Sequence, residues 1–230
     1  MLRVISRDNI GYDFGAHASM LEKLDLELAQ YDYYIFLNSG VTGPFYPSYM
    51  PRDWHWTNAF VDRFETESKS RAPVGIVGTS IVCLPKIDLG GYGPKVEAFA
   101  YAMSAPALRD IRKYGTSFSQ HESKLDAILS GEYNLTKIAF SQGYNIDCLL
   151  KAYEGIDWLD RKNWDCNDKV HPTRAGTYFK STVSPMEVLF HKESWEGKKS
   201  VNSDILKVYM DSIDFRLEDQ VANIPRVIDP

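Results

Sequence analysis

"LRVISRDNIGYDFGAHASMLEKLDLELAQYDYYIFLNSG", residues 2–40, carries the pattern that decides the fold. The run "LRVIS" is short and apolar and gives way to a polar loop, so it reads as a buried strand. From Ala16 to Gln30 the apolar residues Met20, Leu21, Leu24 and Leu28 recur at helical spacing, with Glu22, Lys23, Asp25 and Glu27 outside, which predicts a helix. "YYIFL", 33–37, is a second buried strand that stops abruptly at "NSGVTGP". Strand, helix and strand in so short a stretch form a βαβ unit, whose strands run parallel. In such a sheet the residues just past the strand ends line the ligand crevice, so "RDNIGYDFGAH" and "NSGVTGP" are expected side by side. The glycines admit close backbone approach, and a helix starting near Asp13 or Gly15 offers N–H groups to an anion such as a diphosphate. The same residues serve equally well as a helix cap and a turn.

The remaining chain alternates in the same way. Residues 38–55 form a long loop rich in Gly, Pro and aromatics, "WTNAFVDRFETES" suits a helix capped by Thr57, and "VGIVGTSIV" from Val74 is a third strand. "VEAFAYAMS", 96–104, is a strand candidate followed by a helix from Ala105-Pro106, and helices are predicted over 119–129 and 132–142, the latter closed by Gly143. "YNIDCLL" is a short strand, 153–182 is irregular, "SPMEVLFHK" is a last buried strand or turn, and 202–218 is a terminal helix. The pattern is α/β, a mostly parallel open sheet flanked by helices, with one domain over 1–200 and a helix and tail over 201–230.

With 230 residues, 44% hydrophobic and 25% charged, one large domain is the default. A net charge of -5 supplies no broad basic field, which argues against nucleic acid as a partner. Cys83, Cys148 and Cys166 are far apart, so neither a zinc site nor a disulfide framework is expected and at least one thiol is left over. No apolar run approaches the roughly 20 residues that cross a bilayer. The chain reads as soluble, cytoplasmic or peripheral to a membrane. Neither a G-x-S-x-G nor a G-x-x-x-x-G-K-[ST] motif is present, which leaves no handle for an unrelated nucleotide-binding hydrolase.

"N-x-G", a small-residue helix and then "YDYYIFLNSG" resemble the middle of a GT-A glycosyltransferase, as in family 2 enzymes and relatives of the rhamnan-synthesis proteins. There an Asn-x-Gly loop and helix lead into a strand that ends in a metal-binding Asp-x-Asp. "GEYNLTKIAFSQGYNI", 131–146, is similar to the segment that carries the catalytic base of inverting members, and "GTYFKSTVSPMEVLFHK", 176–192, resembles their closing segment. The likeness spans most of residues 3–192. It implies a nucleotide-sugar donor, a glycan or other hydroxyl acceptor, and transfer of a hexosyl or deoxyhexosyl group in polysaccharide biosynthesis. The family's first βαβ would precede "LRVIS", so the nucleotide half reads as lacking its N-terminal part, supplied by a missing segment or a partner domain.

Carried across by residue, the resemblance puts Asn9, Gly11 and Asp13 in the donor loop and Asn38, Ser39 and Gly40 where the Asp-x-Asp would stand. "NSG" offers no carboxylate, and Mn2+ or Mg2+ needs hard, usually anionic oxygens, so metal dependence is doubtful. Lys192 or Arg174 then becomes the candidate to neutralise the leaving diphosphate. Glu132 takes the base position, with Asp126 and Glu122 as neighbours of the same type; Glu132 also fits as a first-turn Glu favoured by the helix dipole. His191 matches a C-terminal metal or diphosphate ligand, and His17 lies near the crevice. Trp54, Trp56 and Tyr92 are candidates for stacking on the acceptor sugar, or for pinning loops. A second reading keeps the fold without catalysis, as a carbohydrate- or partner-binding module.

Overall fold

The computed structural model describes residues 2–24, 30–65, 72–192, 194–195, 198–199, 209 and 226–228. In chain order the first half contains β1 (Leu2–Val4), α1 (Tyr12–Lys23), β2 (Tyr33–Leu37), β3 (Val41–Thr42), α2 (Asn58–Glu65), β4 (Val74–Gly78), β5 (Ile81–Leu84), β6 (Gly93–Val96) and β7 (Ala100–Ser104). The second half contains α3 (Ala105–Tyr114), α4 (Lys124–Asp126), a π-helical stretch (Ala127–Glu132), α5 (Tyr133–Ser141), β8 (Asn145–Cys148), α6 (Pro185–Val188) and β9 (His191–Lys192). The predicted helix over 202–218 lies outside the described residues, apart from Tyr209.

The central sheet has four strands in the order β2-β7-β4-β8. β4 and β8 are parallel, whereas β7 runs antiparallel to both β2 and β4. The architecture is therefore α/β with a mixed sheet rather than a mostly parallel one. β1 does not join β2; it pairs in parallel with Arg226–Ile228, so the expected βαβ unit is not formed. An apolar run reports burial and not direction, and "AYAMS" is as suitable a neighbour for "YYIFL" as "LRVIS" is.

Helices cover both faces of this sheet. On one, Phe14 and Leu21 of α1, Leu108 and Ile111 of α3, and Leu135 and Ile138 of α5 close over Phe36, Ile76, Tyr101, Met103 and Ile146. On the other, Phe60 of α2 packs with Val77, Ala100, Ala102 and Phe190. Each large side chain taken fully out of water in this way contributes about 1.5–3 kcal/mol. Ser104 and Pro106 start α3 as predicted, and Gly143, with φ of 81°, lies just past α5. α1 begins at Tyr12 behind a left-handed Gly11, so Asp13 is not its cap.

Two strands predicted as single runs are broken, and both breaks matter. Thr79 and Ser80 separate β4 from β5, and Glu97, Ala98 and Phe99 separate β6 from β7, so β5 and β6 peel off as an antiparallel hairpin above the sheet. The expectation of no disulfide is also corrected. Cys83 of β5 is bonded to Cys166, which ties the irregular 153–182 segment to this hairpin, while Cys148 is buried and free. Spacing alone cannot reveal a bridge between positions 83 residues apart, because only the closed fold brings them together.

A chain-entropy estimate for a loop of that length is about 4–5 kcal/mol, of which engineered removals usually realise 2–4. Cys83→Ser is therefore expected to lower unfolding free energy by about 2–4 kcal/mol. Denaturant unfolding of oxidised wild type against the variant checks it, and reduced wild type should match the variant.

Candidate functional site

"KVEAFAYAMS" puts one carboxylate into an otherwise apolar run, and the fold buries it: Glu97 is 0% exposed. A buried carboxylate needs partners, since transfer of an unpaired charge from water is prohibitively costly. Ser80 donates from the β4–β5 break, Thr173 Oγ1 donates at 3.0 Å, and His171 Nδ1 stands 2.7 Å from Oε1. Burial by itself would push Glu97 up, but the charge of His171 and these hydrogen bonds outweigh it and hold the carboxyl below its ordinary value.

Next to it stands Glu132, the last residue of the π-helical stretch. The side chain is half-buried, and Oε1 accepts the Ala98 N–H at 3.1 Å. Its carboxyl is pushed up to about 7, mainly by burial and further by the neighbouring Glu97, with the Ala98 N–H, Lys192 and His171 pulling the other way. Such a group exchanges its proton near neutral pH. The helix 124–141 is continuous, with π geometry where two separate helices were expected. A π segment shifts the side chains that follow it around the helix, and such segments recur at functional sites. Gly131 allows it here: a Cβ would lie 2.7 Å from Phe14 of α1, so the bare backbone lets α1 pack directly against the turn that bears Glu132.

α1 brings the donor-loop candidates. Asn38 Nδ2 donates to Asp13 Oδ2 at 3.2 Å, and His17 Nε2 lies 3.5 Å from the Leu37 carbonyl. "RDNIGYDFGAH" and "NSG" thus stand side by side, held by side chains instead of a parallel strand pair. Between α1 and β2 is a cleft of about 840 Å³ that includes Asn9, Asp13, Asn38 and Ser39, with Arg7, Tyr12, Tyr31 and Tyr34 further along it. Gly11 and Gly40 do not line it. Gln120 covers both Gly11 and Gly15, its Oε1 within 2.6 Å of where either Cβ would be, so these glycines serve helix-to-loop packing.

Tyr101 of β7 links the cleft to the carboxylate pair. Its hydroxyl is 3.4 Å from His17 Nδ1, and its own ionisation is suppressed first by burial and then by the charges of Asp13 and Glu132. His17 is itself lowered by burial. Lys192 on β9 acts on Glu132, and Arg174 acts on the adjacent Tyr133, so both cations lie at the carboxylate end. Glu122 is exposed, and Asp126 is engaged with His121 Nδ1 at 3.0 Å, within the loop that holds Gln120.

The other candidates are dispersed. Trp54 stacks edge-on to Tyr46, and Trp56 packs on Phe60 and Phe190, both against the α2 core. Tyr92 lies by the disulfide, donating to Asp165 Oδ1 at 3.0 Å and packing on Trp164. His191 is wholly buried in β9, beside the Ser184 backbone, and burial depresses it to about 4, which keeps it neutral.

The donor set does not fit a divalent cation of the Asp-x-Asp kind. Asn38 spends Nδ2 on Asp13 and Oδ1 on the Gly40 N–H, and among the described residues no three His, Cys, Asp or Glu side chains converge. Glu97, His171 and Thr173 were missed in the sequence; the signal for Glu97 was a lone carboxylate inside a buried run. Comparison of the chain with protein-family models, curated proteins and solved structures gives no match.

Glu97, held below its ordinary 4.5, stabilises the fold above that value and loses the contribution as pH falls through its lower folded pKa. His171→Ala should cost about 2–3 kcal/mol at pH 7 by leaving the carboxylate short of a partner. Denaturation across pH checks this, and the deficit should shrink on acidification.

Proposed function

We propose that the chain is a GT-A-like glycosyltransferase module that moves a hexosyl or deoxyhexosyl group from a nucleotide sugar in the α1–β2 cleft to a glycan hydroxyl, with inversion, and that Glu132 is the base. The observation that carries this reading is Glu132, a carboxyl poised near neutrality that acts on Tyr101, whose hydroxyl stands 3.4 Å from His17 in the cleft. Perturbed carboxyls beside a cleft concentrate at active sites.

In this reading the nucleoside lies along the tyrosine-lined part of the cleft and the diphosphate near Arg7, Asn9 and Ser39. The acceptor oxygen attacks the anomeric carbon as the sugar–phosphate bond breaks, and its proton passes to Glu132. A base whose pKa is near the working pH balances the fraction ionised against basicity. Arg7, which lines the cleft, faces the negative charge gathering on the diphosphate, whereas Lys192 and Arg174 lie at the carboxylate end and bear on the acceptor side. No step is routed through a metal. Burial keeps Glu132 high, and Glu97, locked by Ser80, Thr173 and His171, adds to it.

A second reading, a binding module without catalysis, draws support from Gln120 over Gly11 and Gly15, where an approaching phosphate would need bare backbone, and from the Asn38 amide, which is held by Asp13 and the Gly40 N–H. Thermal shift with a panel of nucleoside diphosphates, with and without manganese, separates the two. A transferase gains stability, about 2.7 kcal/mol at a ligand concentration one hundred times Kd. No shift with any of them removes donor binding.

With a donor in hand, Glu132→Gln should lower turnover by about 10²–10⁴-fold while leaving nucleotide affinity nearly intact. Retained turnover would take Glu132 out of the mechanism. Wild-type turnover is expected to rise as pH passes through about 7, because the carboxylate is the active form. The raised pKa also means that ionised Glu132 opposes folding above its unfolded value of 4.5. Glu132→Gln should therefore be the more stable protein at pH 8, by about 2 kcal/mol after allowance for partial exposure.

A further inference from the structure

Away from the α1–β2 cleft, a second concavity of about 380 Å³ opens between the 46–54 loop, α2 and the segment of α6. Its size is within the range of about 300–1,000 Å³ in which small ligands are held. One wall is aromatic: Tyr46 and Trp54 meet edge to face with ring centres 5.3 Å apart. Met186, 37% exposed, continues the apolar wall at the rim.

The polar side is built around Arg63 and Glu187. Arg63 Nη2 donates to the Leu149 carbonyl at 3.4 Å, while the buried Nη1 makes no hydrogen bond and stands 3.5 Å from Glu154 Oε1. Glu187 Oε1 is fixed by the Lys151 N–H at 2.9 Å and the Tyr178 hydroxyl at 3.1 Å. Asp147 lies behind, influenced by Arg63 and Glu154. The guanidinium, held by the Leu149 carbonyl and the Glu154 carboxylate, and the oriented Glu187 together offer a ligand both donors and an acceptor.

Charge narrows the class. The Glu187 carboxylate at the cavity disfavours a phosphate or carboxylate. Glu154 is already paired with Lys151 and Arg63, so a cation would gain little there. A neutral polyol with one apolar face meets both walls: ring C–H groups lie on the indole, and hydroxyls exchange hydrogen bonds with Arg63 and Glu187.

We propose that this pocket is a binding site for one ring of a neutral saccharide, stacked on Trp54 and oriented by Arg63 and Glu187. The assignment rests on this cavity's own chemistry and does not require the cleft to take a nucleotide sugar. The full chain is titrated with neutral oligosaccharides of glucose, mannose, galactose and rhamnose, with choline as a cationic probe, and the Trp54 indole N–H is followed by NMR. At least one oligosaccharide is expected to shift that signal, and Trp54→Ala to weaken its binding about tenfold or more, by calorimetry. Met186→Arg, which fills the rim from an exposed position, should block binding in a protein whose core is untouched. The proposal is overturned if none of the oligosaccharides shifts Trp54, if binding survives both substitutions, or if choline alone binds. Nucleoside diphosphate binding is read separately, so loss of either site is distinguishable from loss of the other.

Discussion

A carboxylate at position 97 has no access to water, and much of the architecture around the candidate site can be understood as the response to that constraint. Ionised carboxylates are tolerated in an interior only when hydrogen bonds and opposite charge replace hydration. The chain meets this requirement from three places: Ser80 at the break between β4 and β5, and His171 and Thr173 from a segment whose only regular structure is short 3-10 turns. That segment must therefore be anchored, and the Cys83–Cys166 bridge does so at the hairpin whose outgoing strand leads straight to Glu97.

The second consequence falls on Glu132. Burial makes its carboxyl give up the proton reluctantly, and the already ionised Glu97 beside it adds to the effect. The fold thus separates two adjacent acids by environment, one ionised and locked, the other exchanging near neutrality. This division of labour is a recurrent way of obtaining a base that works at physiological pH. Tyr101 and His17 extend the same polar run to Asp13, at the far end of which the cleft begins.

Much of the fold was legible because burial leaves a strong mark on sequence. "YYIFL", "VGIVG", "AYAMS" and "NIDC" are strands, and Ala105-Pro106 opens a helix. Strand direction was not legible, because apolar composition is the same for a parallel or antiparallel neighbour, and the sheet proved mixed. The disulfide and the His171 contact depend on closure across long sequence separations, to which local spacing is blind. The gap between the helices expected over 119–129 and 132–142 lies inside one continuous helix, where Gly131 is a contact point for Phe14. At the candidate site, Asp13 and Asn38 do meet as expected, although through side chains and not through the parallel strand pair that predicted it. Glu97 was hidden because a single polar letter in an apolar run resembles an exposed position until the fold shows it to be enclosed.

The account therefore turns on the ionisation of one side chain. The most direct measurement is the titration of the Glu132 carboxyl carbon by NMR in the full chain, with assignment by Glu132→Gln. A midpoint near 7 is predicted, set by burial and by the ionised Glu97. A midpoint near the ordinary value of 4.5 would contradict the account, because Glu132 would then be a solvated helix residue with no feature marking it as a base.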